Sequence, residues 1–425
     1  MTESANPFAF DATLEAVEAM VRDFCAREVE PAIADLEAGR QSPYALARRM
    51  AEVFQIEAMI AEPLRSRSAR RARGESPASG GSAPFNPMGD PGTAAVFAKE
   101  LARVSPGFAL CVVANFGCGA TIAARGDAEL IERCALPVLS FAKIGCWGLT
   151  EPGTGSDAFA MRTTVRMDGD HVVVNGAKTF VSNAPCADVL LIYARFDDGR
   201  PRDPHDKAAV FPVVVERGAA GLTQGPPMAK MGMHASPTGE IALDEVRVPR
   251  GCLLGDPERP QRAAAEQTLA SERLTVVAMA LGVIERCLDD ALRYAVEREQ
   301  FGRPIAAFQL TQQKLARMYV QRENVTNLLL KCIALDRTGA ARPRDVSAAK
   351  WYATESALAA ADDAIQIMGG AGYVQGHAPE RLYRDMRLWT IGGGTSEIQV
   401  LTIAKDLLRD HGLRAELNGD WRRES

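Results

Sequence analysis

The feature that most restricts the fold is a hydrophobic period that changes twice along the chain. Up to about residue 142, apolar residues recur every three or four positions. Ala12 to Val29 is typical: Leu14, Val17, Met20, Val21 and Phe24 share a face, and Pro31 is expected to end the run. From about Gly145 the apolar residues gather instead into short blocks between turn residues. MDGDHVVVNGAKTFVSN carries turn signals at Asp168-Gly169 and Asn175-Gly176 around Val172 to Val174, and VLLIYAR (189–195) and AAVFPVVVE (208–216) read as further strands. From Ala263 the helical spacing returns. Val277, Leu281, Ile284, Leu288, Leu292 and Ala295 form one stripe, and helical runs follow at 308–336, 343–368 and 397–409. The pattern predicts an α+β multidomain chain: an N-terminal helical domain (1–142), a middle antiparallel β domain (143–262) and a C-terminal helical bundle (263–425).

Composition narrows the class. A chain of 425 residues is too long for one small core, and 47% hydrophobic with 24% charged residues excludes a disordered one. A net charge of −5 gives no general attraction to nucleic acid or anionic lipid. No run of 18 apolar residues is evident, so no membrane span is expected. The start, MTESANPFAFDATLEAVEAM, lacks the basic-then-apolar layout of a secretory signal. Nine cysteines without a CxxC pair argue against a disulfide framework and fit a reducing cytoplasm. The five histidines show no metal-ligand spacing. Arg65 to Gly92, rich in Arg, Ser, Gly and Pro, reads as a long surface loop.

Four motifs carry polar groups suited to a ligand. In GLTEPGTGSD (Gly148 to Asp157), three glycines let backbone approach a flat molecule, with Thr150 and Ser156 as hydrogen-bonding groups. In GAKTFVSNA (Gly176 to Ala184), Phe180 can lie on an aromatic ring system and Ser182 can bond a ring nitrogen. In REQFGRPIAAFQLTQQKLA (Arg298 to Ala316), Arg298 offers a fork suited to a pyrophosphate, beside Gln300 and Gln309. The fourth runs from Gln366 to Gln399. Its GGAGYVQG is no dinucleotide loop, because no strand precedes it and the glycines open no helix. Singly, each has an ordinary reading as a glycine-rich loop, a hairpin strand or a helix-end charge.

In this order and spacing the motifs resemble those of the acyl-CoA dehydrogenase family over roughly residues 10 to 409. TEPGxGSD, GxKxWITN, RxQFGxPI and QxxGGxGY…YRD…GTSEI all have counterparts here. The resemblance implies a C-terminal four-helix bundle, FAD as cofactor, an acyl-CoA (or acyl carrier protein) thioester as substrate, an electron-transferring flavoprotein as acceptor, and a homotetramer. It also implies residue roles. Trp147, Leu149, Thr150, Gly155, Ser156, Phe180, Val181 and Ser182 would hold the isoalloxazine. Arg298, Phe301, Gln309, Gln366, Ile367, Met368, Gly369 and Gly370 would hold phosphates and adenosine, in part across a subunit boundary. Thr395, Ser396 and Glu397 would complete the cofactor site, while Ser156, Ala270, Ser271, Arg273 and Gly394 would touch the substrate.

Three departures follow from the same comparison. Phe180 stands where the family usually has Trp, and Val400 where many relatives have Arg. IGGGT (391–395) replaces IYEGT, so Gly393 occupies the position of the family's catalytic Glu. Isovaleryl- and long-chain-type members that lack that Glu carry the base just before an Arg near the start of the long helix, and this chain has Glu272-Arg273 there. The expected chemistry is removal of the α-proton by Glu272 and of the β-hydride by flavin N5, with the Gly393 N–H polarising the thioester carbonyl. A flavin monooxygenase of the same fold, and a non-catalytic thioester- or partner-binding protein, stand as alternatives.

Overall fold

The computed structural model describes residues 10–73, 90–199, 209–257, 263–415 and 421–423. Its first part is helical: α1 (Ala12–Phe24), α2 (Pro43–Val53), α3 (Ile56–Ala72), α4 (Pro91–Val104) and α5 (Pro106–Arg125). Their starts follow the local sequence. Asp11, Ser42, Asp90 and Ser105 each accept a backbone N–H of the first turn, and three of them precede a proline that suits the first helical position.

Two expectations need correction in this part, and a third, that nothing spans a membrane, needs a reason. Pro31 does not end the first helical path. A π turn (Cys25–Val29) and a 3-10 turn (Glu30–Ala32) absorb it, and helix resumes at Ile33. The expected surface loop is helical over Arg65–Ala72, and Pro91 and Gly92 already belong to α4; residues 74–89 lie outside the described residues. The stretch folds because Ile56, Ile60, Leu64 and Ser68, spaced by four, bury one stripe, while Arg65 pairs with Glu132 at 2.7 Å and Arg71 donates to the carbonyls of Ala124 and Gly126. Third, α5 is long and apolar enough to cross a bilayer, yet most of it is buried inside the fold, as in a core helix. Residues 1–9, which bear on the reading against a secretory signal, lie outside the described residues.

The middle part is a seven-stranded sheet: β1 (Gly145–Gly148), β2 (Thr164–Asp168), β3 (His171–Ser182), β4 (Val189–Phe196), β5 (Val210–Glu216), β6 (Leu222–Gln224) and β7 (Thr238–Pro249). The order is β1-β4-β2-β3-β7-β6, with β5 on β4. Most pairings are antiparallel; β4 pairs in parallel with β1 and, over two residues, with β2. Asp168-Gly169 is the β2–β3 turn, as expected. Asn175-Gly176 lies inside β3, where the register shifts against β7. Gly176 is required there by contact: a Cβ would fall 2.4 Å from the Thr163 hydroxyl oxygen.

The last part holds α6 (Ala263–Glu297), α7 (Gln309–Arg337), α8 (Pro343–Met368), α9 (Ala378–Met386) and α10 (Ser396–Asp410). α6 is the spine, packed against α4, α7, α8 and α9. Of its expected stripe only Leu292 turns outward. At Gly282 α6 passes so close to α4 that a Cβ would lie 2.1 Å from the Lys99 carbonyl oxygen. One continuous hydrophobic core joins all three parts.

Candidate active site

The loop that follows β1 and the last residues of β3 lie side by side because buried charges tie them together. Lys178 on β3 is wholly buried and pairs with Glu151 at 2.8 Å, and its Nζ also donates to Leu149 O at 3.0 Å. Glu151 in turn accepts the N–H groups of Arg162 (2.6 Å) and Thr163 (2.8 Å), and Thr179 N donates to Thr150 O at 3.0 Å. The 149–156 loop is thereby pinned beside Phe180. Space is open where side chains on Gly153 and Gly155 would begin. Phe180 itself has φ +57° and is 69% exposed, so its ring is held outward at a backbone conformation an aromatic residue rarely adopts. Ser156 is exposed, and Trp147 packs edge-on to Tyr193. Val181 is buried, so only its backbone reaches the loop's open face.

The second cluster forms where α6 meets the turn before α10. A Cβ on Gly393 would lie 3.8 Å from Glu272 Cδ and 3.9 Å from its Oε1. The Glu272 carboxyl therefore occupies the neighbourhood into which a side chain at 393 would grow. Glu272 as a residue is half-buried, but the protein packed around its carboxyl is dense. Loss of hydration pushes its pKa up to about 7, against the pull of the Arg273 and Lys350 cations.

The Gly393 carbonyl accepts from Arg273 Nε (3.4 Å) and Gln399 Nε2 (3.3 Å), and the Gly394 carbonyl from Lys350 Nζ (2.7 Å) and Gln399 (2.8 Å). Among the described residues the Gly393 N–H meets no acceptor. Thr395 caps α10 by accepting from Ile398 N, and Ser396 donates to Glu355. Glu397 is exposed in the first turn of α10. Of Ala270 and Ser271 only the helical backbone is described.

The remaining sequence candidates lie elsewhere. Arg298, Phe301 and Gln309 are exposed beyond the far end of α6, and 25 residues separate Glu272 from Glu297, about 37 Å of helix. Gln366, Gly369 and Gly370 are exposed at the C-terminal end of α8, 16 residues or about 24 Å beyond Lys350. Ile367 and Met368 point into the bundle core. A helix, and no strand, precedes Gly369, although Gly370 opens a single helical turn, Gly370–Tyr373.

Sequence reasoning missed Lys350, Gln399, Lys178 and Glu151. The available signal was a lone lysine or glutamine inside an apolar stripe, such as Lys350 among Val346, Ala349, Ala353 and Ala357.

An outward aromatic face with open backbone beside it suits a flat heteroaromatic ring, and a free N–H beside a basic carboxylate suits a carbonyl compound. The profile of the acyl-CoA dehydrogenase middle domain matches residues 146–246, and that of the C-terminal domain matches 262–408. A probable acyl-CoA dehydrogenase of Bacillus subtilis, YngJ, is 34% identical over 92% of this chain and 97% of that protein. A 3-(aryl)acrylate reductase of Clostridium sporogenes is 38% identical over 67% of this chain and 74% of that protein. Among solved structures, a glutaryl-CoA dehydrogenase of Mycobacterium smegmatis in complex with FADH2 superposes with a TM-score of 0.81 at 25% identity, covering 95% of this chain and 96% of that one. The chain belongs to the acyl-CoA dehydrogenase family. It is an oxidoreductase of acyl-CoA thioesters whose cofactor is FAD.

Proposed function

We propose that the chain converts an acyl-CoA to its trans-2-enoyl thioester with Glu272 as the base that removes the α-proton. The observation that carries this reading is the meeting of Glu272 with the space at Gly393: a carboxyl within 4 Å of where the family's usual base would be rooted, raised to about 7 by burial. Such a group is about half ionised at neutral pH and basic enough, once ionised, to take a carbon-bound proton. When bound, FAD supplies the acceptor for the hydride that leaves the β-carbon. The Gly393 N–H holds the thioester carbonyl oxygen and makes the α-proton more acidic. Phe180 and the 149–156 loop would form the wall against which the flavin ring is held.

The distance along α6 also bears on assembly. Arg298, Phe301 and Gln309 lie beyond about 37 Å of helix from Glu272, so we infer that they serve the cofactor of a second copy. Phe301 (93% exposed) and Tyr373 (85% exposed) lie in the two segments that follow α6 and α8, as apolar surface for a partner to cover. A homotetramer passing electrons to an electron-transferring flavoprotein accords with this arrangement.

Gly392 and Gly393 leave space beside the reacting carbons. A Cβ at Gly392 would have no neighbour closer than 3.6 Å. We infer tolerance of a methyl branch or bulkier group there, in keeping with the relative whose name puts an aryl group on carbon 3 of its substrate. An anaerobic flavin-bleaching screen with butyryl-, isovaleryl-, 2-methylbutyryl-, octanoyl- and palmitoyl-CoA, on wild type and Glu272→Gln, tests both points. The variant should bleach at least about a thousandfold more slowly while keeping FAD. Near-normal bleaching would remove Glu272 from the role, and a maximum at butyryl-CoA with inert branched substrates would refute the pocket argument.

A further inference from the structure

Lys350 is a charged group that the scheme above leaves unexplained. It lies on the stripe of α8 that faces the core, and its side chain is among the largest in the chain to be fully buried. An ammonium withdrawn from water needs strong partners, and a core position of this kind is ordinarily apolar. Its Nζ donates to the Gly394 carbonyl at 2.7 Å. The charged groups around it come from three helices: Glu272 and Arg273 on α6, Glu355 on α8 itself and Glu397 on α10.

What Lys350 grips is a turn whose own hold is the Gly392 N–H on the Leu388 carbonyl at 2.7 Å. Gly392, Gly393 and Gly394 bring no side chains to pack, and Gly393 (φ +64°) and Gly394 (φ +86°) sit in the left-handed region, where glycine has its greatest freedom. The donors on its carbonyls are Lys350, Gln399 and Arg273. Of these, Lys350 is the one whose charge also acts on Glu272 from a different helix.

We propose that Lys350 is a positioning residue for the reaction, holding the Gly392–Gly394 turn by the Gly394 carbonyl so that the Gly393 N–H stays presented to the substrate carbonyl, and keeping Glu272 ionised through its charge. The inference rests on the reading of Glu272 as base. It assigns two separable effects to one ammonium, one carried by its hydrogen bond and one by its charge. Burial itself pushes Lys350 down to about 8, so the charge is present over the neutral range in which Glu272 titrates.

The test compares Lys350→Met and Lys350→Gln with wild type, reading FAD content, kcat, KM and the pH profile of kcat/KM. Met removes donor and charge. It should lower kcat by about ten- to a hundredfold with KM changed by less than about threefold, since the lost donor acts where charge develops. Loss of a cation beside a carboxylate disfavours the ionised form, so the acid limb should move up by about one pH unit. Gln restores a neutral donor and should recover much of kcat while keeping the displaced limb. A packing role alone moves neither limb.

A wild-type limb in both variants overturns the inference. If Lys350→Met does not fold, Lys350→Gln alone decides it by the same limb. Glu272→Gln, run in parallel, separates the two claims. Full turnover in that variant refutes the base assignment. A thousandfold loss there, with an unmoved limb in the Lys350 variants, refutes only the role of Lys350.

Discussion

If the space at Gly393 and the Glu272 carboxyl converge on one reacting carbon, the base can be moved from one wall of the pocket to the other. The perturbation is Gly393→Glu placed in the Glu272→Gln background. Loss of the carboxylate in the single variant is expected to cost at least a thousandfold, or about 4 kcal/mol of transition-state stabilisation. The new Cβ meets Glu272 Cδ at 3.8 Å and Oε1 at 3.9 Å, which is ordinary contact, so the replacement has room to start. Two effects limit recovery. Gly393 has φ +64°, and a side chain there costs about 1–2 kcal/mol of backbone strain. The amide introduced by Glu272→Gln also keeps the volume the new carboxylate needs. Recovery of about ten- to a hundredfold, roughly 1.4–2.7 kcal/mol of the loss, is the expected result. Stopped-flow bleaching of the flavin band under nitrogen, with FAD content measured for each variant, gives the rates. A folded, FAD-loaded double variant no faster than Glu272→Gln would refute the convergence.

The remaining predictions concern pH and the cofactor. With Glu272 as the proposed base, acting ionised, and its pKa raised to about 7, kcat/KM should rise with an inflection near pH 7; an inflection near the ordinary carboxylate value would contradict this. The same shift has a stability sign. A folded pKa raised from 4.5 to about 7 gives stability that is present below about pH 4.5 and lost as pH rises through 7, on the order of 3 kcal/mol at 1.36 kcal/mol per unit. Glu272→Gln should thus melt higher than wild type at pH 8 and nearly equal to it at pH 4.5, and the reverse order by calorimetry would count against the buried carboxylate. Arg298→Ala should lose FAD and loosen the oligomer together; a variant that stays yellow and elutes unchanged from gel filtration would reduce Arg298 to a helix-end charge.

What the sequence disclosed follows from which forces are local. The helical run 343–368 coincides with α8 because its cap, Pro343, and its period all act within a few residues. The stripe of α6 was legible for the same reason, and Leu292 was misread because exposure at a helix end depends on what is packed beside it. Asn175-Gly176 looks like a hairpin turn, yet the reason for Gly176 is Thr163, a contact made only after folding. Arg65 to Ala72 was concealed by its surface arginines, since the buried partners at four-residue spacing were few. At the site, Glu272 was found by register against the family, and the structure adds its nearness to Gly393. Lys350 and Gln399 lie far from the motif in sequence or look ordinary within it, and only the tertiary fold brings their donors onto one turn.

On the proposed reading, a base can leave Gly393 without taking the rest of the site with it. That reading assigns two functions to the position, and they reside in different atoms. Carbonyl polarisation belongs to the backbone N–H, which any residue except proline supplies, and which here meets no acceptor among the described residues. Proton removal belongs to a side chain, and a carboxylate from α6 reaches the same neighbourhood. Once the side chain is gone the turn loses its own packing, so its shape depends on donors from α6, α8 and α10 gripping two carbonyls. The cost of moving the base is therefore structural and falls on the turn. A chain that places Glu on α6 can leave glycine at 393 only while Lys350, Gln399 and Arg273 hold the loop that the missing side chain no longer anchors.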